Sequence, residues 1–317
     1  MVCRMSDATA RLPYDEFSMF HENASEFGLS YPGPPIVRRV SAMMTDGRVM
    51  SALAWGDAAP ELVLIHGGAQ NAHTWDTVAL ALDRPLLAID LPGHGHSDGA
   101  SSAAGAQTSA ASLAADVAKV IDQLAPSARA VVGMSLGGLT SIALTGARPD
   151  LVRSLILVDV TPGVTSEKAK VIHSFVNGPT SFPSFDEILA RTVEFNPGRT
   201  VASLRRGILH NAEQQADGSW VWRHRRHGGP NESPTAAASG EERMNALAGL
   251  WDVVSASTMP LMLVRGMRPQ SVVDDTDEAE LLRRRPDALI EHVAEAGHSV
   301  QGDTPVELAR LIADFPR

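Results

Sequence analysis

The chain has little of what staples, coats or anchors a protein. Of its 317 residues one is a cysteine, Cys3, so no intrachain disulfide is available. No CxxC pair or Cys/His spacing of a zinc site is present either, and no metal or cofactor is expected. No run approaches the roughly 18 uninterrupted apolar residues that a membrane helix needs. The first twenty residues mix Arg4, Asp7, Arg11, Asp15 and Glu16 with short apolar stretches and lack the apolar centre of a secretion signal. A cytoplasmic protein without a membrane partner is the expectation. Positive charge is also in deficit: the formal net charge is −10. Tracking a phosphate backbone requires a positive field over one face, so nucleic acid is not an expected partner.

What is present is apolar material for a core. The composition is 44% hydrophobic and 20% charged, as in folded globular chains. The length exceeds a single small domain but suits one doubly wound sheet with an inserted subdomain. Two strand-like runs, 36–43 and 48–55, flank Thr45, Asp46 and Gly47, and Asp-Gly is a strong hairpin signal. From residue 62, short apolar runs alternate with helix-length segments: 62–65, 86–89, 130–132, 155–158, 261–264 and 289–293. Runs without period-2 alternation suit strands buried on both faces, joined by helical crossovers. The expected class is α/β, with a mostly parallel central sheet flanked by helices. Residues 161–258 break the rhythm and are too long for a plain connection, so they read as an inserted, mainly helical cap. The core is then 36–160 and 259–317, behind an N-terminal extension over 1–35, in which a short helix is expected around 14–27.

One motif carries chemistry. Gly133, Met134, Ser135, Leu136 and Gly137 spell Gly-x-Ser-x-Gly, with the strand 130–132 before them and a helix-like run, 139–147, after them. A strand-to-helix turn this sharp needs small residues beside the serine, and Gly133, Gly137 and Gly138 supply them. Such a turn holds Ser135 out at the sheet edge. The helix N-terminus behind it favours developing negative charge.

In this context the chain resembles the α/β-hydrolase superfamily, as a serine esterase or lipase-like member with a cap, from about residue 36 to the C-terminus. His66, Gly67 and Gly68 look like the family's His-Gly oxyanion loop. Residues 90–98, from Asp90 to Asp98, resemble its Asp-x-x-Gly-x-Gly-x-Ser loop, in which both aspartates are scaffold. The resemblance implies Ser135 as nucleophile and backbone N–H groups of Leu136 and Gly68 as oxyanion donors. Ala69 replaces Gly68 if the loop is registered one residue later. His66 is read as a brace for the loop. Ala296, Gly297, His298 and Ser299 follow the last apolar strand, and the likeness makes His298 the base.

The acid departs from the common pattern. After the strand ending near Arg265, a family member usually shows Gly and, a few residues on, Asp; here Gly266 leads to Met267, Arg268, Pro269, Gln270 and Ser271. Some superfamily members carry the acid one strand earlier, which points to Asp159, behind the run 155–158. Asp274 is the alternative, although with Asp275 and Asp277 it also reads as the start of a helix. Histidines 94, 96, 224 and 227 are read as solvated or structural.

The implied activity is hydrolysis of a small or medium carboxylic ester through an acyl-enzyme. Carbon–carbon bond hydrolysis of a vinylogous keto acid is the alternative, and a non-catalytic ligand-binding homologue a third reading. Met244, Leu247, Leu250, Trp251 and Val254 recur at helical spacing and are offered as pocket lining or plain packing. The stretch 220–227, with Trp220, Trp222, Arg223, His224, Arg225, Arg226 and His227, is either a solvated charge run or a basic group for an acidic substrate.

Overall fold

A computed structural model describes residues 12–99, 109–224 and 240–315. Eight strands form the central sheet: β1 (Val37–Met43), β2 (Val49–Trp55), β3 (Leu62–Ile65), β4 (Leu86–Ile89), β5 (Ala130–Met134), β6 (Leu155–Val158), β10 (Leu261–Gly266) and β11 (Leu289–Val293). Their order is β1-β2-β4-β3-β5-β6-β10-β11. The hairpin strand β2 runs antiparallel to β1 and β4, and the remaining pairs are parallel.

The unbroken apolar runs have a direct cause. In β3, Val63 and Ile65 enter one buried cluster while Leu62 and Leu64 enter the other, and in β4 Leu87 and Ile89 part from Leu86 and Ala88 in the same way. Both faces are dry at these inner strands, so no position in them is left for a polar residue. Each such apolar side chain contributes roughly 1.5–3 kcal/mol by leaving water. The edge strand β11, expected to be buried on both faces, is instead mostly exposed or half-buried and carries Glu291 and His292.

Helices α2 (Asp76–Leu82) and α11 (Pro305–Asp314) cover one face; α3 (Ala110–Leu124), α4 (Leu136–Ala147) and α9 (Asp275–Arg284) cover the other. Helix α4 begins at Leu136, three residues before the apolar run suggested, because Gly137 and Gly138 are helical. Helix α10 (Val300–Asp303) is a single turn behind His298.

The N-terminal segment is integral to the core. Its helix α1 (Phe20–Glu26) buries Phe20 against Trp55, with ring centroids 5.0 Å apart, and Asn23 donates to Thr77 Oγ1 at 3.0 Å.

Between β6 and β10 lie α5 (Lys170–Val176), β7 (Ser181–Phe182), α6 (Phe185–Phe195), α7 (Val201–Asn211), β8 (Ala212–Gln214), β9 (Trp220–Trp222) and α8 (Gly240–Ala256). A second sheet, β7-β9-β8, sits among these helices and was not foreseen: strands of two or three residues show no periodicity. The second half of α8, within the stretch expected to be inserted, packs on the core. Leu250, Trp251 and Val254 of α8 join the main core cluster, and a Cβ on Gly146 of α4 would lie 2.9 Å from Val253. Three of the five residues in the Met244 to Val254 stripe are therefore core and Leu247 packs against them, while the Met244 side chain, like Arg225, Arg226 and His227, lies outside the described residues. No helix among the described residues is long and apolar enough to cross a membrane.

Candidate active site

Ser135 stands between β5 and α4 with φ 50° and ψ −117°, outside the regions open to most side chains. The glycines make that turn possible. A Cβ on Gly137 would fall 2.2 Å from Ile65 O, and one on Gly133 would fall 2.5 Å from both Gly137 O and Ser141 Oγ. Among the described residues four non-glycine positions have positive φ: Ala69, Asp83, Ser135 and Asp159. Three of them belong to this sheet edge. Strain of about 1–3 kcal/mol per residue persists where surrounding structure enforces it, and functional sites are the usual place.

Strand register aligns Met134 of β5 with Val158 of β6, and Val158 with Val264 of β10, so Ser135 and Asp159 leave adjacent strand ends. Asp159 is fully buried. Its Oδ2 accepts from His298 Nδ1 at 2.8 Å and from Val272 N at 3.0 Å. Its Oδ1 accepts from Ser271 Oγ at 2.6 Å and from Gly266 N at 3.0 Å. Four donors offset the cost of burying the carboxylate and fix its plane. The loop without a carboxylate thus turns its own donors on Asp159. Gly266 must be glycine for His298 to come close, because a Cβ there would sit 2.2 Å from Gly297 O. Sequence reasoning missed Ser271, since only a carboxylate was sought in that loop.

Asp274, the alternative acid, is elsewhere. It caps α9, accepting from Asp277 N at 3.0 Å, and pairs with Lys168 Nζ at 2.9 Å. That is the helix-start role its neighbours suggested.

The loop after β3 lies against the Ser135 turn. A Cβ on Gly67 would meet Ser135 Cβ at 3.2 Å, and one on Gly68 has only Leu136 Cδ2 near it, at 4.0 Å. The amide N–H groups of Gly68 and Leu136 have no acceptor among the described residues. That of Ala69 is engaged, donating to His94 Nε2 at 3.1 Å, which favours the register with Gly68. His94 in turn donates Nδ1–H to Pro92 O at 3.0 Å, so its work is structural.

His66 has the geometry of a brace. Its Nδ1–H donates to Gly67 O at 2.7 Å and its Nε2 accepts from Leu91 N at 2.9 Å. Burial pushes its pKa down to about 3, helped by His94, so the ring is neutral. The Asp90 carboxylate accepts from Ala72 N at 2.7 Å, His96 N at 3.0 Å and Arg39 Nη1 at 2.8 Å, and Asp98 accepts from Val49 N at 2.7 Å. Both are scaffold for the loops around the site.

Of the basic stretch, Trp222 packs edge-on against Phe182 at 5.9 Å and Arg223 lies over the Tyr14 ring at 5.8 Å. The described part of that stretch is thereby occupied with packing. His224 lies near the site, its ring 6.4 Å from that of His94.

Known proteins show the same architecture. The model of the alpha/beta hydrolase fold family matches residues 60–305. The esterase Rv0045c of Mycobacterium tuberculosis is 42% identical over 314 residues, spanning 95% of this chain and 96% of that protein. A solved structure of that esterase, described together with its transition metal inhibition, superposes with TM-score 0.79 at 41% identity over 95% of this chain and 98% of the other. The 3-hydroxybutyrate-oligomer hydrolase of Cupriavidus necator is 28% identical over 80% of this chain and 88% of its own length. This chain belongs to the α/β-hydrolase fold family.

Proposed function

We propose that the protein is a serine hydrolase of small or medium carboxylic esters, with Ser135 as nucleophile, His298 as general base and Asp159 as the acid that orients it. The observation that carries the residue roles is the 2.8 Å hydrogen bond between His298 Nδ1 and Asp159 Oδ2 beside the strained Ser135 turn. It leaves Nε2 as the proton acceptor and stabilises the imidazolium that forms when the serine proton is taken. Attack on an ester carbonyl places negative charge on its oxygen, which Gly68 N–H and Leu136 N–H receive. One such donor is worth about 3–4 kcal/mol of barrier. His298 then protonates the departing alcohol, and water, activated by the same ring, releases the acid from Ser135. The likeness to an esterase over nearly the whole of both chains supports ester hydrolysis as the reaction. The insertion, read as a cap, is proposed to set substrate size.

The test is turnover on a panel of p-nitrophenyl esters of rising acyl length, combined with fluorophosphonate labelling. Wild type should hydrolyse the shorter esters and be labelled at Ser135, and Ser135→Ala should lose both. An unlabelled Ser135 in folded protein would favour the ligand-binding reading instead.

A further inference from the structure

A second group of titratable side chains lies outside the proposed catalytic machinery, where the insertion meets the core. Asn71 caps the short 3-10 turn Ala72–Trp75, accepting from His73 N at 2.9 Å. Its Nδ2 reaches across to His210 O and Asn211 Oδ1, both at 2.8 Å, at the end of α7. This brings His210 of the insertion onto His73 and Asp76 of the core. The two imidazoles stack at 3.8 Å with planes 10° apart. His73 Nδ1 is 2.9 Å from Asp76 Oδ2 and His210 Nε2 is 3.8 Å from the same oxygen. All three side chains are buried, and Asp76 Oδ1 is a buried oxygen without a partner among the described residues.

We propose that His73 Nδ1, Asp76 and His210 Nε2 form a binding site for a divalent transition metal ion of the zinc type. One ligand atom from each residue lies within 4.8 Å of the others. In a tetrahedral zinc site, bonds of about 2.0–2.2 Å set ligand atoms roughly 3.3–3.6 Å apart. The 2.9 and 3.8 Å separations bracket that edge, and because the stacked rings hold their in-plane lone pairs in near-parallel planes, one imidazole turns out of the stack for both nitrogens to face the ion. The outer nitrogens are already provided for. His73 Nε2 lies 3.1 Å from Glu16 Oε2, and His210 Nδ1 lies 2.9 Å from Tyr14 Oη. Carboxylate or hydroxyl acceptors behind ligating histidines hold the tautomer that turns the other nitrogen to the metal. The neighbouring Arg39 is held by Glu16 and Asp90. Two imidazoles and one carboxylate select zinc, copper, nickel or cobalt over magnesium and calcium, which prefer all-oxygen shells. The spacing in sequence hides the site, because His210 arrives from a helix far along the chain. An ion here would tie α7 to the turn that follows the Gly68 loop.

The experiment is titration of the full chain, freed of metal, with Zn2+ and separately with Mg2+, followed by calorimetry and thermal melting. One Zn2+ should bind per chain and raise the melting temperature, and Mg2+ should do neither. Asp76→Asn and His210→Ala should each weaken Zn2+ binding at least tenfold and abolish the thermal shift. Glu16→Gln, which leaves the ligands in place, should weaken it about tenfold. His298→Ala should bind as wild type does. The proposal is overturned if Zn2+ does not bind, if folded Asp76→Asn and Glu16→Gln bind it undiminished, or if His298→Ala is the variant that loses it.

Discussion

His298 and Asp159 meet through a 2.8 Å hydrogen bond although 139 residues separate them, and the carboxylate comes from the end of β6 rather than from the loop after β10. Asp274, which follows that loop, is committed to capping α9 and to Lys168. The two aspartates therefore separate cleanly in mutagenesis. Asp159→Asn keeps the shape but presents His298 with an amide, and kcat should fall by about 10³–10⁴. Asp274→Asn should keep kcat within about twofold and lose at most about 1 kcal/mol of stability, because Asn also caps helices. Burst-corrected turnover on one p-nitrophenyl ester decides it; the reverse ranking would return the acid role to Asp274.

Ser271 ties the loop after β10 to Asp159, the proposed acid. Its hydroxyl donates to Asp159 Oδ1 at 2.6 Å and accepts from Val273 N at 3.2 Å. A hydrogen bond to a charged acceptor is worth about 1.5–3 kcal/mol. Ser271→Ala should lower stability by about that much and kcat by roughly three- to tenfold, with Asp159 still held by its backbone donors. Ser271→Thr, which retains the hydroxyl, should recover most of both. Urea melts and ester turnover on the two variants are the measurements, and an inert Ser271→Ala would show that the backbone amides alone position Asp159.

The central strands were legible because their burial on both faces leaves a local mark: four or five apolar residues between turns. Their ends were less so. β10 runs to Gly266, where the ladder still pairs with Val293, and glycine carries no pattern to extend. Ser135 and His298 stood out through their flanking glycines and positions after strands, both local features. Asp159 could be proposed only from the likeness to a family, and Ser271 not at all, since its role exists through a partner 112 residues away. The His73, Asp76 and His210 grouping was hidden for the same reason. Strands β7 to β9 failed differently, being too short for any period to register.

The glycines around Ser135 are not equivalent. Gly137 faces Ile65 O and His66 O at 2.2 and 2.6 Å from a prospective Cβ, so Gly137→Ala forces β3 and α4 apart. Overpacking of this kind costs about 1–3 kcal/mol or more. Gly68 has open space, with Leu136 Cδ2 at 4.0 Å the one neighbour. Gly68→Ala should melt within a few degrees of wild type and retain fluorophosphonate labelling, since its N–H remains. Gly137→Ala should lose both markedly. Equal melting temperatures for the two variants would contradict the packing around the turn.

His66 ties stability to pH. Its folded-state pKa is pushed down to about 3 from the ordinary 6.5, burial being the main cause. The unfolded chain binds a proton below about pH 6.5 that the folded chain refuses until about pH 3, so stability falls as pH falls through that window. From this group alone the loss between neutral pH and pH 5 is about 2 kcal/mol. The direct measurement is the imidazole resonances of His66 across pH 5 to 8, where the ring should stay neutral with its proton on Nδ1, donating to Gly67 O. A titration midpoint near 6 would mean that the ring is charged while the protein is folded. Leu91 N would then face an N–H, and His66 could not brace the Gly68 loop as a neutral acceptor.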